Sequence, residues 1–290
     1  MLPGTVDLHL HTTCSDGLDT PEELVEKAVS NGYSAISITD HDTVSGVIRA
    51  IEAAHGTSLE IIPGIELSSM DQDDDIHILG YYIQYRDPEF VNNISFFMEK
   101  RRERAEEIVE CLNYLGLEIK IDTVLKIAHG APIGRPHIAE ALLSENQIKY
   151  YNEAFIRYLG VNCPAYVPKY RITPRETIEL ILKNGGIPVL AHPVSIRRDE
   201  IIPELVESGL MGIEAVHPMH YPEKQLYYRK LAEKYGLIAT GGSDWHGSTR
   251  RQNFINIQES SKIPVKTVRE MKLLLNSRKK SGEKRFASES

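Results

Sequence analysis

The chain is poor in cysteine: Cys14, Cys111 and Cys163 are odd in number, far apart and in none of the paired spacings of a metal finger. A disulfide framework is therefore not expected, and a reducing compartment fits. Long apolar runs are also missing. No stretch reaches the roughly 18 apolar residues that would cross a bilayer, and no basic start leads into an apolar segment, so a cytoplasmic protein without a membrane partner is expected. Positive charge is in deficit, with 33 Lys and Arg against 41 Asp and Glu and a net charge of −8. That balance speaks against a surface built to track a long phosphate backbone, but leaves single nucleotides and short ends open.

What is present is an ordinary globular composition, 41% hydrophobic and 26% charged over 290 residues, enough for one large α/β domain with an insertion or for two domains. The opening stretch stands out. Val6, Leu8 and Leu10 alternate with Asp7, His9 and His11, the period of a short strand, so the two imidazoles share a face. Asp16 follows in a small polar loop ending at Gly17. Neighbouring neutral imidazoles with a carboxylate suit a metal ion. An isolated pair of this kind is as readily a surface feature, so the remaining chain decides.

Thr20-Pro21-Glu22-Glu23 has the hydroxyl, proline and acids of a helix start, and the helix stops at Asn31-Gly32. A strand through Ala35–Thr39 ends in Asp40-His41-Asp42, and a helix carries Val47, Ile48, Ile51 and Ala54. Further strands are expected at 59–67, around Pro63-Gly64, and at 76–81. This alternation predicts a parallel sheet with crossover helices. From about Pro88 to Leu117 one long helical stretch replaces it, with a charged centre around Arg101–Arg104 that reads as a solvated face. Alternation resumes with a helix from Thr173-Pro174, strands at 187–191, 212–216 and 237–240, a last strand at Phe254–Ile257 and a last helix from Val265 to Leu275. The expected organisation is a barrel from 1–85 and 167–277, a mainly helical insertion over 86–166, and a disordered tail at 278–290.

Metal-capable side chains recur at strand ends: His9, His11, Asp16, His41, Glu66, His77, His192, Asp244 and His246. They exceed the needs of one ion, since zinc takes about four ligands and manganese or iron about six. Two or three divalent ions (Mn, Fe or Zn) sharing bridging carboxylates would use them all. Asp244-x-His246 repeats the spacing of His9-x-His11 and predicts a second pair on one strand face. Asp40 is read as a partner that fixes an imidazole tautomer, and the acid run Asp71, Asp73, Asp74, Asp75 as an exposed loop.

His9-x-His11, Thr39-Asp40-His41, Glu66, His77, Ala191-His192-Pro193 and Ser243-Asp244-x-His246 resemble, in order, the motifs of the PHP (polymerase and histidinol phosphatase) superfamily. The resemblance is greatest to the branch of nucleoside monophosphate and 3′,5′-nucleotide bisphosphate phosphatases and of ribonucleases that trim 5′ ends. It implies an α/β fold, a distorted seven-stranded βα barrel with three divalent ions. One ion would be held by His9, His11, Glu66 and Asp244, with Glu66 bridging to a second on His77 and His192, and the third on Asp16, His41 and His246.

Clustered dications make phosphate ester hydrolysis feasible by acidifying a water and neutralising phosphoryl oxygens, so a metal-bridging hydroxide is the expected nucleophile. Arg135, at a helix start, His137 beside it, and Lys169, where the chain re-enters the barrel, are candidate substrate contacts. His220 is a candidate acid or phosphate contact. The expected function is hydrolysis of a phosphate monoester on a small metabolite, a nucleotide such as 5′-AMP or a 3′,5′-bisphosphate. The alternatives are action on oligonucleotide ends, for which Tyr150, Tyr151, Tyr158, Tyr166 and Tyr170 would stack bases, a histidinol-phosphate-type phosphatase, or a non-catalytic nucleotide-binding module.

Overall fold

The structure is a computed structural model that describes residues 4–72, 74–170, 172–196, 198–247 and 263–288, the last ten of these as backbone only. The first half opens as expected, with β1 (Thr5–Leu10), α1 (Pro21–Ser30), β2 (Tyr33–Ile38) and α2 (Ser45–Ala53). In α1 the Thr20 hydroxyl accepts from Glu23 N while the Glu23 carboxylate accepts from Thr20 N, a reciprocal cap that fixes where the helix begins. Next come β3 (Glu60–Asp71) and β4 (Asp74–Tyr81). The helical segment holds α3 (Pro88–Tyr114), α4 (Ile121–Ala128), α5 (Arg135–Ser144) and α6 (Tyr151–Ala154), which runs on into a π-helical turn over Phe155–Leu159. The return comprises α7 (Pro174–Lys183), β5 (Ile187–Leu190), α8 (Ile202–Glu207), β6 (Gly212–Val216), α9 (Pro222–Tyr235), β7 (Ile238–Gly241), β8 (Ile263–Pro264) and α10 (Lys266–Ser288).

The strands form one sheet in the order β7-β6-β5-β4-β3-β2-β1-β8. Its ends nearly meet: past β7, Leu10 bridges Trp245, and His11 N donates to Trp245 O at 2.9 Å. The result is an almost closed barrel. The count is eight strands rather than seven because the short β8 pairs antiparallel with Thr5 and Val6 of β1.

The pairing is parallel on both flanks, but β4 runs antiparallel to both β3 and β5. A turn as short as the one between Asp71 and Asp74 can only reverse the chain, so an all-parallel sheet is ruled out locally. The expected strand at Phe254–Ile257 lies outside the described residues. Helix α10 continues to Ser288, so the backbone after Arg278 is helical where composition suggested disorder.

The larger core packs strand residues Ile36, Ile38, Ile65, Ile78, Leu190 and Ile213 under the helices, against Leu24, Val47, Ile178, Leu205 and Tyr228. Val6, Leu8, Ile62, Leu79, Tyr81 and Val189 fill a second cluster that reaches Val268 and Met271 of α10. A third core belongs to the helical segment, where Ile108 and Leu112 of α3 meet Val124, Ile138, Leu142 and Leu159. Helix α3 joins the two bodies, because Phe90 and Ile94 at its start lie in the barrel-side core. No helix among the described residues is long and apolar enough to cross a membrane.

Candidate metal centre

The strand-end residues converge. Glu66 of β3, fully buried, lies within 3.2 Å of imidazole nitrogens from five histidines. Its Oε2 faces His9 Nε2 (3.2 Å), His11 Nε2 (3.2 Å) and His41 Nδ1 (3.1 Å). Its Oε1 faces His77 Nδ1 (2.8 Å) and His192 Nε2 (3.0 Å). Asp244 Oδ1 stands 3.3 Å from His9 Nε2 and 3.1 Å from His11 Nε2.

Donors that share an ion at about 2.0–2.2 Å sit roughly 3.0–3.4 Å apart. His9, His11, Glu66 and Asp244 meet that spacing on every pair given above, with the two imidazoles themselves 3.1 Å apart. His11, Asp16, His41 and His246 form a second group whose ligand atoms lie within 4.8 Å of one another. A set of imidazoles and carboxylates at these separations fits divalent cations and offers no neutral hydrogen-bonding alternative for so many bases. Glu66, with Oε2 toward His9, His11 and His41 and Oε1 toward His77 and His192, has the geometry of a bridge.

The electrostatics agree. Burial pulls His11 down, yet the Asp244 and Glu66 carboxylates lift it to about 10. Burial likewise opposes the charge on His77, but Glu66 and Asp75 raise it to about 9. Glu66 and Asp244 are held well below the usual carboxylate range, against their burial, by the imidazoles around them. Protons thus occupy positions where cations would neutralise the same acids.

Local backbone shape serves this convergence. β1 pairs irregularly with β2 between Asp7 and Leu10, the stretch that carries His9. Asp244 does not lie on a strand, as its spacing suggested. It follows β7 in a left-handed conformation (φ 50°), which swings its carboxylate toward β1. Asp40 binds no imidazole: its oxygens accept from Thr12 N (2.7 Å), Thr12 Oγ1 (2.7 Å) and Ser15 Oγ (2.5 Å), fixing the loop that carries Asp16.

Of the predicted substrate contacts, Arg135 and Lys169 line a cavity of about 150 Å³ that His41, His77 and Asp16 also face. Lys169 Nζ bonds Asp75 at 2.8 Å and stands 3.2 Å from His77 Nε2. His137 borders the site without offering a free nitrogen. Its Nδ1 accepts from Gly134 N and its Nε2 donates to Ser15 O, so it braces α5 against the barrel loop. His220 is buried beside His217, with Nδ1 donating to Ala215 O.

Several residues at the site escaped the sequence reading. Arg101 and Arg104 are not on a solvated face but line the same cavity, Arg101 bonding Asp42 at 2.6 Å and Arg104 bonding Val167 O at 2.8 Å. Burial and the neighbouring Arg135 and Arg101 push Arg104 down to about 10, and no carboxylate among the described residues pairs with it. The acid run is not a free loop either. Asp71 and Asp74 pair with Arg198, and Asp75 faces His77, from which it is two residues removed and whose face it shares. Glu214, a lone carboxylate inside the apolar strand β6, is buried beside His9.

A barrel whose strand ends gather imidazoles and acids around a bridging glutamate, under a wall of arginines, defines a metal-dependent hydrolase of anionic esters. The PHP domain family model matches residues 7–167, and the chain belongs to that family. Over 251 residues it is 31% identical to the phosphoribosyl 1,2-cyclic phosphate 1,2-diphosphodiesterase of Eggerthella lenta, covering 84% of this chain and 95% of that protein. It is 31% identical to the 5′-3′ exoribonuclease Rnm of Escherichia coli, over 83% of this chain and 84% of the relative. It is 28% identical to the 3′,5′-nucleoside bisphosphate phosphatase of Chromobacterium violaceum, over 83% and 87%. A solved structure from Bifidobacterium adolescentis, described as a metal-dependent phosphoesterase, superposes with a TM-score of 0.83 at 31% identity, covering 93% of this chain and 96% of that one. The protein is a metal-dependent phosphoesterase.

Proposed function

We propose that the protein removes a phosphate monoester from a small nucleotide carrying two phosphates, of the nucleoside 3′,5′-bisphosphate class, with two or three manganese, iron or zinc ions as cofactors. The observation that carries this reading is the cationic group Arg101, Arg104, Arg135 and Lys169 lining a cavity of about 150 Å³ that His41 and His77 also line. The ligand set can neutralise one phosphate when loaded. A second cluster of guanidinium groups on the same cavity, two of them (Arg104 and Arg135) without a carboxylate ion pair among the described residues, calls for a second anion.

His9, His11, Glu66 and Asp244 would hold one ion, His77 and His192 a second with Glu66 shared, and Asp16, His41 and His246 a third. Ions held there would supply Lewis-acid charge to the phosphoryl oxygens and lower the pKa of water at the site. The chain's own residues then orient the substrate. Lys169, fixed by Asp75, presents an ammonium beside His77, and Arg104 and Arg135 hold the remote phosphate in line. The nucleoside has room in an adjoining cavity of about 470 Å³ lined by His77, His192, Tyr166, Val161 and Pro168. Arg135 lies 5.8 Å from the Tyr166 ring, so the two spaces adjoin at that pair. Tyr166 is the one tyrosine of the predicted stacking set that lines this space, whereas Tyr151 and Tyr158 pack on the helical core. The helical segment 86–166 serves in this reading as the cap that selects substrate.

The test is a manganese-supplemented panel of 5′-AMP, adenosine 3′,5′-bisphosphate, histidinol phosphate and a short 5′-phosphorylated oligonucleotide, assayed with wild type and Arg104→Met. The bisphosphate is expected to give the highest kcat/KM. The variant should raise its KM by roughly 10- to 100-fold, the value of a lost charge-assisted contact, while leaving 5′-AMP turnover within a few-fold. A preference for 5′-AMP or for the oligonucleotide, or an unchanged KM in the variant, would overturn the assignment.

A further inference from the structure

We infer that Glu214, which none of the ligand groups above requires, is the positioning residue of the first ion site, holding two ligands from different strands in one geometry. It rests on the phosphoesterase class alone and is independent of which substrate is cleaved. Glu214 is completely buried in β6. Its Oε1 lies 3.0 Å from His9 Nδ1, and its Oε2 accepts from the backbone N–H of His192 at 2.7 Å. His9 Nε2 faces His11, Glu66 and Asp244. A carboxylate accepting at Nδ1 therefore puts the proton there and leaves the Nε2 lone pair aimed at the ion.

The second contact matters as much. His192 occupies a strained backbone position after β5, with φ 24° and ψ 61°, and Glu214 Oε2 caps its N–H. The strand β6 thus carries one carboxylate that pins the imidazole of His9 on β1 and the main chain of His192, so the first and second ion sites are tied to each other from behind. The same layer continues to Asp244. His217, 2% exposed, has Nε2 3.4 Å from Asp244 Oδ2, on the side away from the oxygen that faces His9 and His11. His9, Glu214 and His217 offer atoms within 4.8 Å of one another, yet His9 Nε2 already faces the first site. The group is better suited to bracing than to a further ion.

The test uses the full chain as Glu214→Gln and Glu214→Ala, stripped of metal and titrated with manganese alone in the presence of a competing chelator. Glutamine keeps the volume but can accept at only one of its two terminal atoms, so either His9 Nδ1–H or His192 N–H loses its partner. The expected result is manganese affinity at the tightest site weakened by roughly 10- to 100-fold, in a folded glutamine variant whose metal-free melting temperature falls only by the few degrees that one unpartnered buried N–H costs. With adenosine 3′,5′-bisphosphate at saturating manganese, kcat should fall while KM changes less than three-fold. If the alanine variant fails to fold, the glutamine variant decides alone. Wild-type manganese affinity in a folded Glu214→Gln protein would overturn the inference, and because that titration involves no substrate it is separable from a wrong choice of nucleotide.

Discussion

At the scale of single residues, the closest approach in the site is made by one without a side chain. Gly242 follows β7, and a Cβ there would collide with His9 Cβ and lie 2.5 Å from the His9 nitrogen. Only glycine lets the segment bearing Asp244 come close enough to β1 for the two ligands to share an ion. Gly242→Ala must force these backbones apart, with no flexible side-chain end to give way. Overpacking of this kind costs about 1–3 kcal/mol, and the displaced pair is His9 and Asp244 themselves. The variant is expected to lose both denaturation midpoint and manganese affinity. A drop in midpoint with intact manganese binding would show that Gly242 matters only for packing.

At the scale of elements, polar ties hold the helical segment to the barrel, among them Arg101 to Asp42 and Ser68 and His137 to Ser15 O. Both ring nitrogens of His137 bond to backbone, one to Gly134 at 3.0 Å within the cap and one to Ser15 O at 3.0 Å beside Asp16. Removing them in His137→Ala leaves the half-buried Gly134 N–H and the buried Ser15 carbonyl without this partner, at a cost of about 1–3 kcal/mol. Faster amide exchange through 129–145 with little change in the barrel strands is expected, and uniform exchange would refute the tie. Which elements the sequence announced follows from the same physics. Period-two alternation and helix caps placed β1, α1, β2 and α7 because they are local signals. The Pro63-Gly64 pair, around which the third strand was expected, falls where β3 changes partner from β2 to β4. The direction of β4 was written in the short Asp71–Asp74 turn and not in the strand itself. Arg101 and Arg104 read as solvent-facing because charge along a helix normally is. Their burial depends on α3 crossing the cavity, a tertiary fact with no local trace. Seven of the nine candidate ligands were legible because they sit at or just past a strand end, whereas Glu66 and His77 lie inside β3 and β4, which run past the expected strand limits; Glu214 sits mid-strand among apolar neighbours and carried a single weak signal, a charge in a buried run.

For the whole molecule, the consequence of gathering so many imidazoles and acids in one buried place is that protons and cations compete for it. Without metal, His77 is held up to about 9, against burial, by Glu66 and Asp75, and His11 up to about 10 by Asp244 and Glu66. Both values lie above the unfolded one near 6.5, so the stabilisation these protonated groups give the metal-free fold is complete below pH ~6.5. It is lost as pH rises through about 9 and 10. Metal binding has the opposite slope, because ligation requires these imidazoles to release their protons and becomes easier over the same window. A ligand at a thousand times its Kd adds about 4.1 kcal/mol to the folded state, enough to dominate the melting temperature. The gap between manganese-loaded and metal-free melting temperatures should therefore widen steadily from pH 6 to pH 9. Calorimetric titrations in two buffers of different ionisation enthalpy should show proton release on binding at neutral pH. A gap independent of pH, or binding without proton release, would mean that these imidazoles are already neutral in the metal-free protein and that the carboxylates are balanced by something other than protons.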